Sequence, residues 1–271
     1  MSTVPPALAE LGLKALPFPK APPHDELFRW PPLEELLARL HFVLGLRGIV
    51  LLTGDAGGGK STAIRCFCHG LDESRHPTVY LADKQLSPKE FYSRILEHFG
   101  ILPGRTYSSA RRQCQTLLAD MSATRDMTPI VIIDEAHELS PDMVQELRYV
   151  QNIYCDADSP FTLVLSGQSE LRATLRLRAF EAVAQRITVR YHLPGLTLAQ
   201  TTSYITHSLT RAGIDRPLFT EAAINLLHTH SRGILRRIGL LATHALLDTA
   251  LNKTPLVEEA SVRRAITELD D

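Results

Sequence analysis

Eight consecutive residues, Gly54-Asp55-Ala56-Gly57-Gly58-Gly59-Lys60-Ser61, followed by Thr62, fit the pattern GxxxxGK[ST] in full. They stand between an apolar run, Gly48–Thr53, and a stretch of helical character. Glycines at this spacing let backbone N–H groups turn inward around phosphates, at the start of a helix whose dipole favours anions. Lys60 then reaches the β- and γ-phosphates, and the Ser61 hydroxyl suits Mg2+. Farther on, Ile130-Val131-Ile132-Ile133 ends in two carboxylates, Asp134 and Glu135. Beside a phosphate loop, Asp134 approaches the metal through its water shell, and Glu135 orients and deprotonates an attacking water. A glycine-rich turn or an acidic strand end would explain either motif alone. Together they imply binding and hydrolysis of a nucleoside triphosphate, with ATP and Mg2+ as the expected pair. Asp134-Glu135-Ala136-His137 also spells a tetrad of some helicases, which need two nucleotide-binding lobes that 271 residues cannot supply together with a lid. His137 is therefore read as a hydrogen-bonding residue behind the site, and His228 and His230 as helix-surface residues.

These groups need a scaffold. Short apolar runs at Ile49–Thr53, Thr78–Ala82, Pro129–Ile133, Phe161–Ser166 and Ile187–Tyr191 alternate with helical stretches. That alternation predicts an α/β fold whose parallel sheet is covered on both faces. The strand ending in Asp134 is expected beside the strand that leads into the phosphate loop. Ser87-Pro88-Lys89-Glu90 and Thr197-Leu198-Ala199-Gln200 read as capping boxes that open helices. Residues 1–32 hold many prolines and read as an extended arm laid against the body through Leu13, Leu16, Phe18, Phe28 and Trp30. Residues 33–194 form the α/β body, and residues 195–271, where only helical patterning remains, form a small helical domain.

Composition sets bounds. Hydrophobic residues make up 44% and charged residues 22%, as in ordinary globular proteins, which excludes collagen-like, disordered and coiled-coil classes. Lys and Arg number 29 against 30 Asp and Glu, so any polyanion must be held by a local patch. Such a patch lies between Lys84 and Arg112, where six basic residues face two acidic ones, a local excess of +4. Cys66, Cys68, Cys114 and Cys155 show no CxxC spacing, which suits a reducing compartment. No signal peptide and no run long enough to span a membrane is recognisable, so a cytoplasmic location without membrane contact is expected.

A strand ending in a polar residue, an arginine about 20 residues later and a helical domain with Gly-x-x-Arg resemble the AAA+ ATPases. The specific pieces are Gly12-Leu13-Lys14-Ala15-Leu16-Pro17-Phe18, Leu165–Arg172, Gln185-Arg186-Ile187 and Gly233-Ile234-Leu235-Arg236. They resemble the ExeA-type branch, which includes ATP-dependent DNA-transposition regulators of the MuB/TnsC kind. The resemblance implies an AAA+ P-loop fold with a C-terminal α-helical lid. It implies Gln168, chosen over Ser166, as the polar group near the γ-phosphate, Arg186 as an arginine finger acting in trans, and Arg236 as the lid arginine. Leu235 and Gly239 depart from the proline and asparagine usual in that helix. Leu16, Phe18 and Ile205 are expected around the adenine. A finger in trans implies a homo-oligomer, ring or helical filament, and in DNA-binding relatives the region of the basic patch lines its inner face. Lys84, Lys89, Arg105 and Arg111 are thus the expected contacts to duplex DNA, without regard to sequence. The implied function is regulation of transposition by recruiting a separate transposase. The alternatives are an ExeA-type secretion-assembly ATPase and a helicase-loading or protein-remodelling ATPase.

Overall fold

The structure, a computed structural model, describes residues 5–151 and 159–270. In chain order its elements are α1 (Pro6–Glu10), α2 (Pro31–Leu46), β1 (Ile49–Thr53), α3 (Lys60–His69), β2 (Thr78–Leu81), α4 (Pro88–His98), α5 (Tyr107–Thr124), β3 (Ile130–Ile133), α6 (Pro141–Val150), β4 (Thr162–Gly167), α7 (Glu170–Leu175), α8 (Glu181–Ala184), β5 (Ile187–His192), α9 (Leu198–Arg211), α10 (Glu221–Ser231), α11 (Leu235–Leu251) and α12 (Glu259–Asp270). They form two compact units. One holds Leu33–Gly54 and Lys60–Leu193; the other holds Met1–Pro32, Asp55–Gly59 and Pro194–Asp271.

The first unit is built on a five-stranded sheet in the order β2-β3-β4-β1-β5, with every pairing parallel. All residues of β1, β3 and β4 are buried, because a parallel strand in the middle of a sheet has helices over both its faces. The edge strand β2 instead alternates accessible and buried positions, and β5 buries only Ile187, its other positions alternating between exposed and half-buried. Val79, Leu81, Val131, Ile133, Leu163 and Leu165 point into a core shared with Phe91, Tyr92, Ile95, Leu118 and Leu147 of the covering helices. The order corrects one expectation: β3 does not lie beside β1, because β4 pairs with both. Two strand spacings, roughly 9.6 Å, separate the strand carrying Asp134 from the strand leading to the phosphate loop.

A buried polar cluster joins α4, α5 and α6. Tyr92 donates to Glu146 Oε1 at 2.6 Å, and Arg111 Nε approaches the same oxygen at 3.6 Å. The Arg111 guanidinium lies over the rings of Tyr107 and Tyr149, 6.0 and 5.7 Å from their centroids. Cys114 on the same helix is a buried free thiol, while Cys155 lies outside the described residues.

In the second unit, α10, α11 and α12 pack on one another, and α1 packs on α11. The N-terminal segment is not wholly extended. Pro6 sits at the first position of α1, where a missing N–H removes no hydrogen bond, so proline starts a helix instead of preventing one. Leu8, Leu13 and Trp30 are buried, and Arg211 donates to the carbonyls of Leu16 and Pro17. The predicted capping boxes close at Ser87–Glu90 and Thr197–Gln200. His228 is more than a surface residue, since its Nδ1 lies 2.9 Å from the buried Thr201 hydroxyl.

Glu146→Ala strips the Tyr92 hydroxyl of its acceptor and the Arg111 guanidinium of its counter-ion. The expected cost is about 3 kcal/mol of unfolding free energy, checked by urea titration against wild type.

Candidate functional site

Asp134 follows β3 directly and is buried, with both carboxylate oxygens occupied. Oδ2 accepts from Ser61 Oγ at 3.0 Å and from the Tyr80 hydroxyl at 2.5 Å. Oδ1 accepts from Ser166 Oγ at 2.7 Å and from the Glu135 N–H at 3.0 Å. The strand between β1 and β3 thus supplies one of the donors, and the first turn of α3 brings Ser61 back across it. Burial pushes the Asp134 carboxyl upward, but hydrogen bonds from Tyr80, Ser166, Glu135 N–H and Ser61 outweigh it and hold the group below its ordinary value. Burial first, then the hydrogen bond to Asp134 and its charge, push the Tyr80 phenol well up, so it remains a donor at neutral pH. Ser61 Oγ and Asp134 Oδ2 are hard oxygens at close range. That donor pair fits a small divalent cation such as Mg2+, which takes few protein ligands and completes its shell with water and phosphate oxygens.

Glu135 is exposed and has left-handed backbone, φ 51° and ψ 35°, a strain of about 1 kcal/mol for a residue with a Cβ. Its Oε2 stands 3.4 Å from His137 Nδ1, and His137 Nε2 stands 3.0 Å from Gln168 Nε2. The Gln168 backbone N–H also reaches His137 Nδ1, at 3.5 Å, so Gln168 engages both ring nitrogens and Nδ1 is shared with the Glu135 carboxylate. Gln168 and Glu135, picked separately from the sequence, are thereby joined through His137.

Lys60 opens α3 and is 6% exposed, with its ammonium donating to the Gly54 carbonyl at 2.8 Å. Thr62 follows, half-buried, in the same turn. Asp55, Ala56, Gly57, Gly58 and Gly59 belong to the other unit. There the Gly57 carbonyl accepts from the Arg236 N–H at 3.1 Å. Gly57 has φ +79°, and a Cβ on it would lie 2.7 Å from Cβ of Arg236, so both backbone conformation and space require glycine. A Cβ on Gly59 would lie 3.4 Å from the Trp30 ring. Trp30 stacks on Phe28, with centroids 6.0 Å apart, and its buried Nε1 has no hydrogen-bond partner. Phe18 lies against Tyr204 and Gly239, where a Cβ would come within 3.2 Å, which explains the glycine in place of asparagine. Ile205 is buried, and Leu16 is engaged through its carbonyl.

Arg186 is half-buried at the start of β5, its N–H bonded to the Val183 carbonyl. Arg236 is exposed at the start of α11, with Arg237 exposed beside it. Of the basic patch, Lys84, Lys89 and Arg105 are exposed. Arg111 is not directed to a phosphate backbone: it faces Glu146 and two tyrosines. Arg94 is paired with Asp83 and Glu97 at 3.3 and 3.6 Å. The sequence reading missed Tyr80 and passed over Ser166. The exposed tyrosine between buried Val79 and Leu81 was the signal for the first, since it marks the opposite face of the strand.

The profile of a family described as AAA domain matches residues 44–175. General secretion pathway protein A of Aeromonas hydrophila is 33% identical over 243 residues, 87% of this chain and 43% of that protein. The chain therefore spans less than half the length of that relative. Cdc6p from Pyrobaculum aerophilum superposes with a TM-score of 0.69 at 16% identity, over 93% of this chain and 70% of that one. The Aeropyrum pernix ORC1 protein, solved in complex with DNA, gives 0.65 at 18% identity, over 90% of this chain and 67% of that one. The chain has the AAA+ P-loop fold, a five-stranded parallel sheet flanked by helices. Its likeness to the secretion protein favours the secretion alternative, and none of these comparisons supports the transposition reading. Among the described residues, no helix is long and apolar enough to cross a membrane.

Ser166→Ala removes one donor from a buried carboxylate and should cost about 2 kcal/mol at neutral pH. Because the folded carboxyl titrates below its unfolded value of 3.8, this contribution is complete above pH 3.8 and is lost as pH falls through the folded value. Urea unfolding at neutral and acidic pH should show the gap between wild type and variant closing in acid.

Proposed function

We propose that this AAA+ chain binds ATP with Mg2+ through residues 54–62, hydrolyses it, and acts as a nucleotide-driven switch in assembly of a protein-secretion apparatus. The observation that carries the nucleotide reading is the Ser61–Asp134 pair at 3.0 Å, beside the buried Lys60 and next to Glu135. Lys60 exchanges its bond to the Gly54 carbonyl for the β- and γ-phosphates, while loop N–H groups hold the phosphate oxygens. Ser61 would hold Mg2+ directly and Asp134 through water, and the bound cation supplies neutralisation of phosphate charge. Glu135 accepts the proton of the attacking water, with the His137 ring beside its carboxylate and Gln168 holding that ring through both its backbone N–H and its side-chain amide. Phe28 and Trp30, with the unpartnered Nε1, support an adenine position near Gly59, in preference to Leu16 and Ile205. Arg186 from a neighbouring copy and Arg236 from the same chain stabilise charge at the γ-phosphate, so ATP favours a homo-oligomer, ring or filament, and hydrolysis releases it.

The secretion role rests on the likeness to General secretion pathway protein A. A second reading, a duplex-DNA-binding regulator that recruits a transposase, is favoured only by the exposed Lys84, Lys89 and Arg105. Fluorescence anisotropy with random-sequence duplex separates the two. Binding seen with triphosphate alone and weakened steeply by salt supports DNA; no binding in any nucleotide state leaves the secretion reading.

Lys60→Ala should abolish binding of a fluorescent ATP analogue and nucleotide-dependent assembly. Glu135→Gln should bind as wild type while phosphate release falls at least about 100-fold, trapping the oligomer. Normal turnover by Glu135→Gln removes the role assigned to that carboxylate.

A further inference from the structure

The Tyr80 hydroxyl has no part in the hydrolysis scheme, yet it makes one of the shortest hydrogen bonds to Asp134, at 2.5 Å. The register explains how it gets there. Tyr80 of β2 stands opposite Ile132 of β3, and the ladder continues beyond the strand through the Asp134 N–H to the Leu81 carbonyl at 2.8 Å. Side chains two apart on a strand share a face, so Asp134 is the diagonal neighbour of Tyr80, within reach of a long aromatic side chain. Ser61 Oγ, which donates to the same Oδ2 at 3.0 Å, stands beside this hydroxyl. Tyr80, Ser61 and Asp134 Oδ2 therefore close a triangle around the two oxygens that would face a divalent cation. Tyr80 itself is 50% exposed, which is more than folding demands of an aromatic side chain.

We infer that Tyr80 is a positioning residue for divalent cation: its hydroxyl fixes the rotamer of Asp134 and the direction of Ser61 Oγ before the cation–nucleotide complex arrives. The inference rests on the nucleotide reading above. A carboxylate held by one fewer donor must be ordered at the cost of binding free energy, and loss of such an orienting partner lowers metal affinity about 10- to 100-fold. Burial of the Tyr80 ring edge is shared by phenylalanine, so Tyr80→Phe removes the hydroxyl and little else.

The test uses the full chain and three measurements. Binding of a fluorescent ATP analogue in EDTA reads the phosphate loop alone. Mn2+ titration followed by electron paramagnetic resonance, with a slowly hydrolysed ATP analogue present, reads the cation. Phosphate release at varied Mg2+ reads turnover. Tyr80→Phe should bind nucleotide in EDTA as wild type, bind Mn2+ about tenfold more weakly, and need correspondingly more Mg2+ for half-maximal rate with kcat nearly recovered at saturation. Mn2+ affinity within twofold of wild type overturns the inference while leaving the nucleotide reading intact. Equal weakening of nucleotide in EDTA and of Mn2+ also overturns it, because a merely structural tyrosine would do that. A wild-type chain that binds no ATP analogue either in EDTA or with Mg2+ overturns the nucleotide reading itself, and this inference falls with it.

Discussion

One buried carboxylate organises the C-terminal end of the sheet. Asp134 receives donors from the first turn of α3, from β2, from β4 and from its own successor in the chain. An ionised group taken out of water is costly unless every lone pair is satisfied, and here all are engaged. The consequence runs outward from that point. Ser61, in the first turn of α3, is held toward β3 although two strand spacings separate β3 from β1, and the order β3-β4-β1 becomes a device for spacing and not an obstacle. Ser166 contributes because β4 runs on past β3: Ile133 pairs with Leu165, so Ser166 stands level with Asp134.

The phosphate loop itself is divided between the two units, with Gly54 and Lys60 assigned to one and Asp55–Gly59 to the other. Within the helical unit the loop is held by the bond from the Arg236 N–H to the Gly57 carbonyl and by the contact of Gly59 with Trp30. The glycines therefore answer two demands at once. They supply the positive φ needed to wrap an anion, and they leave room for residues of α11 and the N-terminal segment. A motif commonly read only as a phosphate cradle is here also a packing surface.

Much of this was legible in the sequence. The five strands, the two capping boxes, the phosphate loop and the Asp134-Glu135 pair each carry a local signal: periodicity, a cap residue with its partner three positions on, or glycine spacing. What was not legible depends on partners distant in the chain. Strand order is set by which edges pair, and nothing in Ile130–Ile133 says that β4 intervenes. Tyr80 and Asp134 are 54 residues apart, and only the β2–β3 register makes them neighbours. Arg111 was expected to contact duplex DNA, because its partner, Glu146, lies on another helix. The helix at Pro6 was hidden because proline density reads as extended chain unless the residue falls at the first helical position.

The left-handed backbone at Glu135 carries a lesson about design. Glycine or asparagine would sit there with less strain, so a sequence optimised for thermal resistance alone would drift away from glutamate at that position. An engineering campaign that scored only melting temperature would erase the residue and report an improvement. Under the proposed hydrolysis, the turn is thus a place where robustness and chemistry ask for different amino acids.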